Sequence, residues 1–162
     1  MIALHLLRHA HAGDPMRWTG DDAARPLSEK GRRQAQRLGT LLASYPDAPD
    51  LFITSPKVRA AQTAEIVAAR LGGVRVVVDD RLAWGVGLEV VADVLLAAGD
   101  SERPCLVGHD PDFSELLGEL LGLAPVPMRK GAIARVDVSS QDLTPGGAVL
   151  RYLVPPELLP GK

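Results

Sequence analysis

Short apolar runs and stretches of helical spacing alternate along the chain. Residues 2–7, 50–54, 75–78 and 105–107 are runs of strand length, and the valines of 75–78 are of the kind that fill buried strands. Residues 132–138 and 148–154 read as two more strands, with Thr144-Pro145-Gly146-Gly147 supplying turn chemistry between them. The gaps carry a different period. Ala35, Leu38, Leu42 and Tyr45 recur as one face of a first helix. Ala60, Ala64, Val67 and Leu71 mark a second, Leu88, Val91, Ala92, Leu95 and Leu96 a third, and Phe113, Leu116, Leu117, Leu120 and Leu121 a fourth. Ser28 is the expected N-cap of the first helix, with Glu29 in the first turn where the dipole favours an acid. Gly72-Gly73 ends the second helix, and Pro111 suits the first turn of the fourth.

The order β-α-β-α-β-α-β-α-β-β predicts a layered α/β fold around a mostly parallel sheet, its last two strands an antiparallel hairpin at one edge. No repeat, low-complexity segment or linker divides residues 1–162, which read as one domain. The tail, 155–162, reads as a loose or surface-docked end.

Composition narrows the function classes. A chain of 162 residues, 46% apolar and 23% charged, can bury a core without metals or disulfides. A net charge of −2 gives no global field toward nucleic acid or an anionic membrane, so attraction for an anion must come from locally placed arginines. The single cysteine, Cys105, excludes an internal disulfide and fits a reducing compartment. Within Pro104-Cys105-Leu106-Val107 it reads as a small buried hydrophobe. The N-terminus lacks the basic start and long apolar stretch of a signal peptide, and no run approaches the ~20 apolar residues of a membrane span. The expected location is the cytoplasm. Nothing in the pattern fixes an oligomeric state.

In open α/β sheets, ligands sit at the carboxyl ends of the strands. The first strand runs into Arg8-His9, the second into Ser55-Pro56 with Arg59 one turn further on, and the fourth into Gly108-His109-Asp110-Pro111. Two histidines and two arginines from three strand ends suit phosphoryl transfer, which needs an in-line nucleophile among positive donors. Arginine binds phosphate through a rigid fork, and a neutral histidine can be the covalent nucleophile. Two adjacent arginines are expected to lower that histidine's pKa further. Each of these residues alone is ordinary loop or helix chemistry.

Four ordered segments add a resemblance. Leu7-Arg8-His9-Ala10 resembles the signature of the histidine phosphatase superfamily, the phosphoglycerate mutase-like group. Arg25-Pro26-Leu27-Ser28-Glu29-Lys30-Gly31 is similar to the segment that opens that family's first helix, and Thr54-Ser55-Pro56-Lys57-Val58-Arg59-Ala60-Ala61-Gln62-Thr63-Ala64 to its second-arginine segment. Val107-Gly108-His109-Asp110-Pro111-Asp112 resembles its second-histidine segment. The resemblance implies a three-layer α/β/α fold of the phosphoglycerate mutase type. It implies His9 as the phosphorylated nucleophile, Arg8 and Arg59 as ligands of the phosphoryl oxygens, and His109 flanking them to stabilise the transition state. It implies no metal and no organic cofactor.

The short chain and the late Gly131-Ala132-Ile133-Ala134 stretch look most like the SixA-type phosphohistidine phosphatases, which implies a phosphorylated signalling or phosphotransfer protein as partner. One departure bears on this. Many relatives carry a glutamate proton donor soon after the third strand, whereas this chain reads Asp80-Arg81-Leu82-Ala83-Trp84-Gly85, with Glu89 further on and assigned to the third helix. An alkoxide leaving group needs protonation far more than imidazole does, so the absence favours a phosphohistidine substrate. Asp110 is the best local substitute as donor, the alternative being that it caps the fourth helix.

Other residues carry plainer expectations. His11 is expected at the pocket rim and His5 inside the sheet. Trp18 and Trp84 are expected in loops near the strand ends, lining the mouth or packing on the surface. Arg32-Arg33, with Lys30 and Arg37, reads as the solvated face of the first helix, or as a dock for an acidic partner. A small-molecule phosphomonoesterase is the runner-up, and a phosphate-binding adaptor without turnover is the reading from another class. Gly85-Val86-Gly87 lacks the third glycine of a dinucleotide fingerprint, and no Gly-x-Ser-x-Gly elbow is present.

Overall fold

Strands that are apolar on both faces need a helical layer on each side of the sheet. The computed structural model, which describes residues 1–139 and 143–161, supplies both layers. The elements are β1 (Ile2–Arg8), α1 (Glu29–Ala43), β2 (Leu51–Thr54), α2 (Val58–Arg70), β3 (Val76–Val78), α3 (Leu88–Ala97), β4 (Pro104–Gly108), α4 (Asp112–Leu121), β5 (Ile133–Val138) and β6 (Val149–Val154). Short 3₁₀ turns cover Asp22–Ala24, Asp80–Leu82 and Pro156–Leu158.

The strands form one sheet in the order β3-β2-β4-β1-β5-β6. β1 to β4 pair in parallel, and β5 runs antiparallel to both β1 and β6. Side chains alternate between two cores. Leu4, Leu6, Ile53 and Leu106 pack with Val91, Leu95, Phe113 and Leu117 of α3 and α4. Leu7, Phe52, Cys105 and Val107 pack with Leu38, Leu42, Ala64 and Val67 of α1 and α2. Cys105 is fully buried among them, as its apolar run predicts.

The local signals act as expected at several termini. The Ser28 hydroxyl oxygen accepts from the Gly31 N–H at 3.1 Å and caps α1. Gly72 and Gly73 take positive φ beyond α2, and the Gly73 N–H closes back on the Ala68 carbonyl. The Gly147 N–H donates to the Thr144 carbonyl at 3.0 Å, in the expected turn.

Elsewhere the structure differs from the pattern. The valines of β3 are not buried: this is an edge strand of three residues, and Val78 is 59% exposed. Only β6 is an edge at the other side, because β5 also pairs with β1, from Ile2↔Val138 to Leu7↔Ile133. Tyr45 lies past the end of α1, so the buried face stops at Leu42. In α3 Val94 is buried instead of Leu96, which stands 69% exposed one residue beyond the packed face. Pro111 is the N-cap of α4 and not a residue of its first turn. The tail is docked: Leu159 joins the α1/α2 core and Arg37 donates to the Gly161 carbonyl at 3.1 Å. Lys162, at the end of that tail, lies outside the described residues. No helix among the described residues is long and apolar enough to cross a membrane.

Candidate active site

Parallel pairing places the ends of β1, β2 and β4 on one edge of the sheet, in the registers Arg8↔Gly108 and Thr54↔Val107. The residues that follow therefore meet there. The imidazoles of His9 and His109 lie with centroids 5.3 Å apart and planes tilted by 50°. The loop holding His9 is fixed from two sides. The Ala10 N–H donates to the Thr63 hydroxyl at 3.1 Å, and that hydroxyl donates to the Arg59 carbonyl at 2.7 Å. On the other side the Gly131 N–H is shared by the Arg8 and His9 carbonyls.

The contact made by His9 decides its tautomer. His9 Nδ1 lies 2.7 Å from the Ala10 carbonyl, which can only accept, so Nδ1 carries the hydrogen and Nε2 keeps its lone pair. His109 Nε2 lies 2.8 Å from Ser55 Oγ. Ser55 Oγ also accepts from the Lys57 N–H at 3.2 Å, so this hydroxyl ties His109 to the start of α2.

Both rings are neutral at pH 7. Burial is the main reason the His9 pKa falls to about 3; His109, Arg59 and Arg8 push the same way, and the bond to Ala10 opposes. Burial likewise brings His109 down to about 3, aided by Lys57, Arg59 and Arg8 and opposed by Asp22. The expected depression by arginine is present, but burial exceeds it.

Each site arginine is held at one end and unpartnered at the other. Arg8 donates from Nη1 to the Met128 carbonyl at 2.8 Å and pairs with Asp110 Oδ2 at 3.4 Å. Arg59 donates to the Asp22 carbonyl at 2.9 Å and to Asp22 Oδ2 at 3.0 Å. The Nε of both guanidiniums and Nδ1 of His109 are buried with no hydrogen-bond partner. Buried polar nitrogens are seldom left unpaired, so the two guanidinium Nε–H groups, with His109 Nδ1 on the ring next to His9, suit anionic oxygens.

Asp110 stands one residue before the N-cap of α4, and its carboxylate reaches into the first turn. Oδ1 accepts from the Ser114 N–H at 3.0 Å and from the Ser114 hydroxyl, while Oδ2 meets Arg8. His11 Nδ1 lies 2.6 Å from Ser28 Oγ, at the start of α1. His5 is fully buried in β1, 3.4 Å from the Pro104 carbonyl, with its pKa brought down to about 4 chiefly by burial. Trp18 is part-exposed and donates to the Asp21 carbonyl at 2.9 Å; Trp84 is 78% exposed.

Asp22 and Arg25 emerge only from the structure. The Asp22 carboxylate joins Arg25 Nε at 3.2 Å to Arg59, and Arg25 donates from Nη1 to the Ala12 carbonyl at 2.7 Å. Arg25 lies inside a segment that carries the family resemblance, a signal that could have found it; Asp22, in a polar loop, offered none.

Residues 4–83 match the family described as the histidine phosphatase superfamily (branch 1). An uncharacterized protein from Picosynechococcus sp. is 34% identical over 120 residues, which cover 70% of each chain. The protein histidine phosphatase SixA, solved with tungstate, superposes with a TM-score of 0.81 at 23% identity over 96% of this chain and 97% of that one. A protein from Nakamurella multipartitia, assigned as phosphohistidine phosphatase SixA, gives 0.76 at 26% identity over 94% and 95%. The alpha-ribazole phosphatase from Shigella flexneri gives 0.73 at 20% identity over 94% and 96%.

Proposed function

The chain belongs to the histidine phosphatase superfamily, and from that premise we propose that it removes phosphate from phosphohistidine on a protein by way of a phosphorylated His9. The observation that carries the reading is the His9 tautomer. Its Nδ1 hydrogen is committed to Ala10, so the Nε2 lone pair faces a phosphoryl group bound by Arg8 Nε, Arg59 Nε and His109 Nδ1. Nε2 forms a bond to phosphorus as the substrate's P–N bond breaks, and the electron pair leaves with the substrate imidazole, which takes a proton from solvent. Water then attacks phosphorus, loses a proton to solvent, and returns His9 and inorganic phosphate.

The carboxylates at the site support a leaving group that needs little acid help. Asp22 is kept ionised by its bond to Arg25 first, with Arg59 adding to the effect, and Asp110 is bound to Ser114 and Arg8. The second reading, hydrolysis of a small phosphomonoester, is favoured by the shared fold of the alpha-ribazole phosphatase. It would make Asp110 the donor to test.

Phosphate release from a phosphohistidine-bearing carrier protein and from an alkyl phosphomonoester, with wild type beside His9→Ala, separates the two. Phosphohistidine preference lost in His9→Ala, with phosphate trapped on His9 by rapid quench and mass spectrometry, is the expected result. Ester preference that drops in Asp110→Asn would establish the second reading. Release from either substrate that survives His9→Ala would overturn both.

A further inference from the structure

Beyond Arg8, Arg59 and His109, another cation lies on a segment that anchors the site. The segment before β5 forms one wall of the site: the Met128 carbonyl holds Arg8, and the Gly131 N–H bonds to the Arg8 and His9 carbonyls. Lys130 lies between those two anchors, on a turn closed by the Ala132 N–H onto the Arg129 carbonyl. It is half-buried, and among the described residues it forms no ion pair, although Asp14 acts on it from a distance. Its ammonium is held below its ordinary pKa by burial first, then by Arg8, Arg25 and Arg59. His11 is lowered by burial and then by Lys130, Lys30 and Arg25, so Arg25 acts on both His11 and Lys130. Each arginine there has a carboxylate, Asp110 for Arg8 and Asp22 for both Arg25 and Arg59. The Asp22 bridge also shows that a carboxylate seats directly beside the phosphoryl donors.

We infer that Lys130 is a specificity-determining residue, which takes a second anionic group, carboxylate or phosphate, carried by the substrate next to its phosphoryl group. This rests on the phosphatase reading for its setting, but its test is separate. A half-buried lysine on the turn between the Met128 and Gly131 anchors, without an ion pair among the described residues, gains a charge-assisted bond when an anion arrives in that partly desolvated place. A neutral substrate bearing one phosphoryl group gains nothing from it.

The experiment titrates inorganic phosphate and pyrophosphate into the full chain by calorimetry at low salt. Wild type is compared with Lys130→Ala, Lys130→Arg and, as an exposed control on α1, Arg33→Ala, each checked for folding by circular dichroism. Wild type is expected to prefer pyrophosphate by about tenfold or more. Lys130→Ala should lose that preference while keeping phosphate affinity, and Lys130→Arg and Arg33→Ala should retain it. Equal affinity of wild type for the two anions, or an equal loss for both in Lys130→Ala, would overturn the inference. Phosphohistidine peptides with Glu or Gln beside the phosphohistidine then identify the source. A higher kcat/KM for Glu that vanishes in Lys130→Ala points to a protein carboxylate; indifference, with the pyrophosphate preference intact, points to a second phosphate. If no peptide is turned over in a His9-dependent way while that preference stands, the phosphohistidine reading falls and the subsite remains.

Discussion

Three histidines are buried, and at each burial has a consequence that can be measured. His9 and His109 keep neutral rings because protonation there would place a cation away from water and beside arginines. Their imidazole NMR signals in the free protein should not titrate between pH 5 and 8; a midpoint near the ordinary 6.5 for His9 would contradict the buried, bonded tautomer. His5 takes no part in the proposed chemistry and reports on stability alone. Its pKa is about 4 in the fold and an exposed imidazole's ordinary value is 6.5, so the unfolded chain binds the extra proton between those values. Stability is therefore lost as pH falls below 6.5, and the loss is complete once pH passes about 4. For this one ring the cost at pH 5 is about 2 kcal/mol. Urea unfolding of wild type should show a fall between pH 7 and pH 5, and His5→Gln should reduce that fall by about this amount. An unchanged difference in the variant would remove His5 from the linkage. The mild expectation that His5 lies within the sheet was readable from its place in an apolar run, but the depth that sets its pKa depends on Tyr152 and Pro104, which lie far along the chain.

At the level of elements, the docking of α1 on the loop after β1 turns on one glycine. A Cβ at Gly31 would stand 2.0 Å from the His11 carbonyl oxygen. That carbonyl is not free to yield, because it accepts from the Ser28 N–H at 3.0 Å and from the Ser28 hydroxyl at 3.1 Å, while the His11 N–H donates to Gln34 Oε1 at 3.0 Å. Helix propensity alone would favour alanine by about 1 kcal/mol. The backbone clash outweighs it, and Gly31→Ala should be destabilised by roughly 1–3 kcal/mol net, read as a lower urea midpoint. A raised midpoint would mean that α1 can shift away at no cost. The same helix shows which features are legible. Its N-cap follows from Ser28 and local hydrogen bonding, and the end of α2 follows from two glycines. The edge position of β3 and the rotation of the α3 face depend on which strands and helices are neighbours, and a period of two or 3.6 carries no such information. Valine at β3 satisfies the pleat of an edge strand as well as that of a buried one.

On the scale of the whole molecule, the site is assembled across a hundred residues. The family match spans 4–83 and so includes Arg8, His9 and Arg59, but His109 joins them only because β4 pairs with β1 in parallel. That convergence could be anticipated, since strand ends of a parallel sheet share one edge, and the resemblance of its segment could have found Arg25; Asp22 and Lys130 could not be anticipated, since loops place them. Together these positions set the field. The chain as a whole carries −2, yet Arg8, Arg25, Arg59, Lys57 and Lys130 gather at one edge of the sheet. An anionic substrate is drawn by this local field and not by net charge, which repels it weakly. Raising ionic strength from about 20 mM to about 200 mM shortens the screening length from roughly 20 Å to roughly 7 Å, and so removes the long-range attraction. Under the proposed activity, the buried contacts of Arg8, Arg59 and His109 with a bound phosphoryl group would be screened far less. Under the proposed activity, kcat/KM should then fall several-fold with salt while kcat changes little. A kcat that falls in parallel would mean that salt reaches the reacting centre itself, and a flat kcat/KM would mean that the basic edge does not steer its substrate.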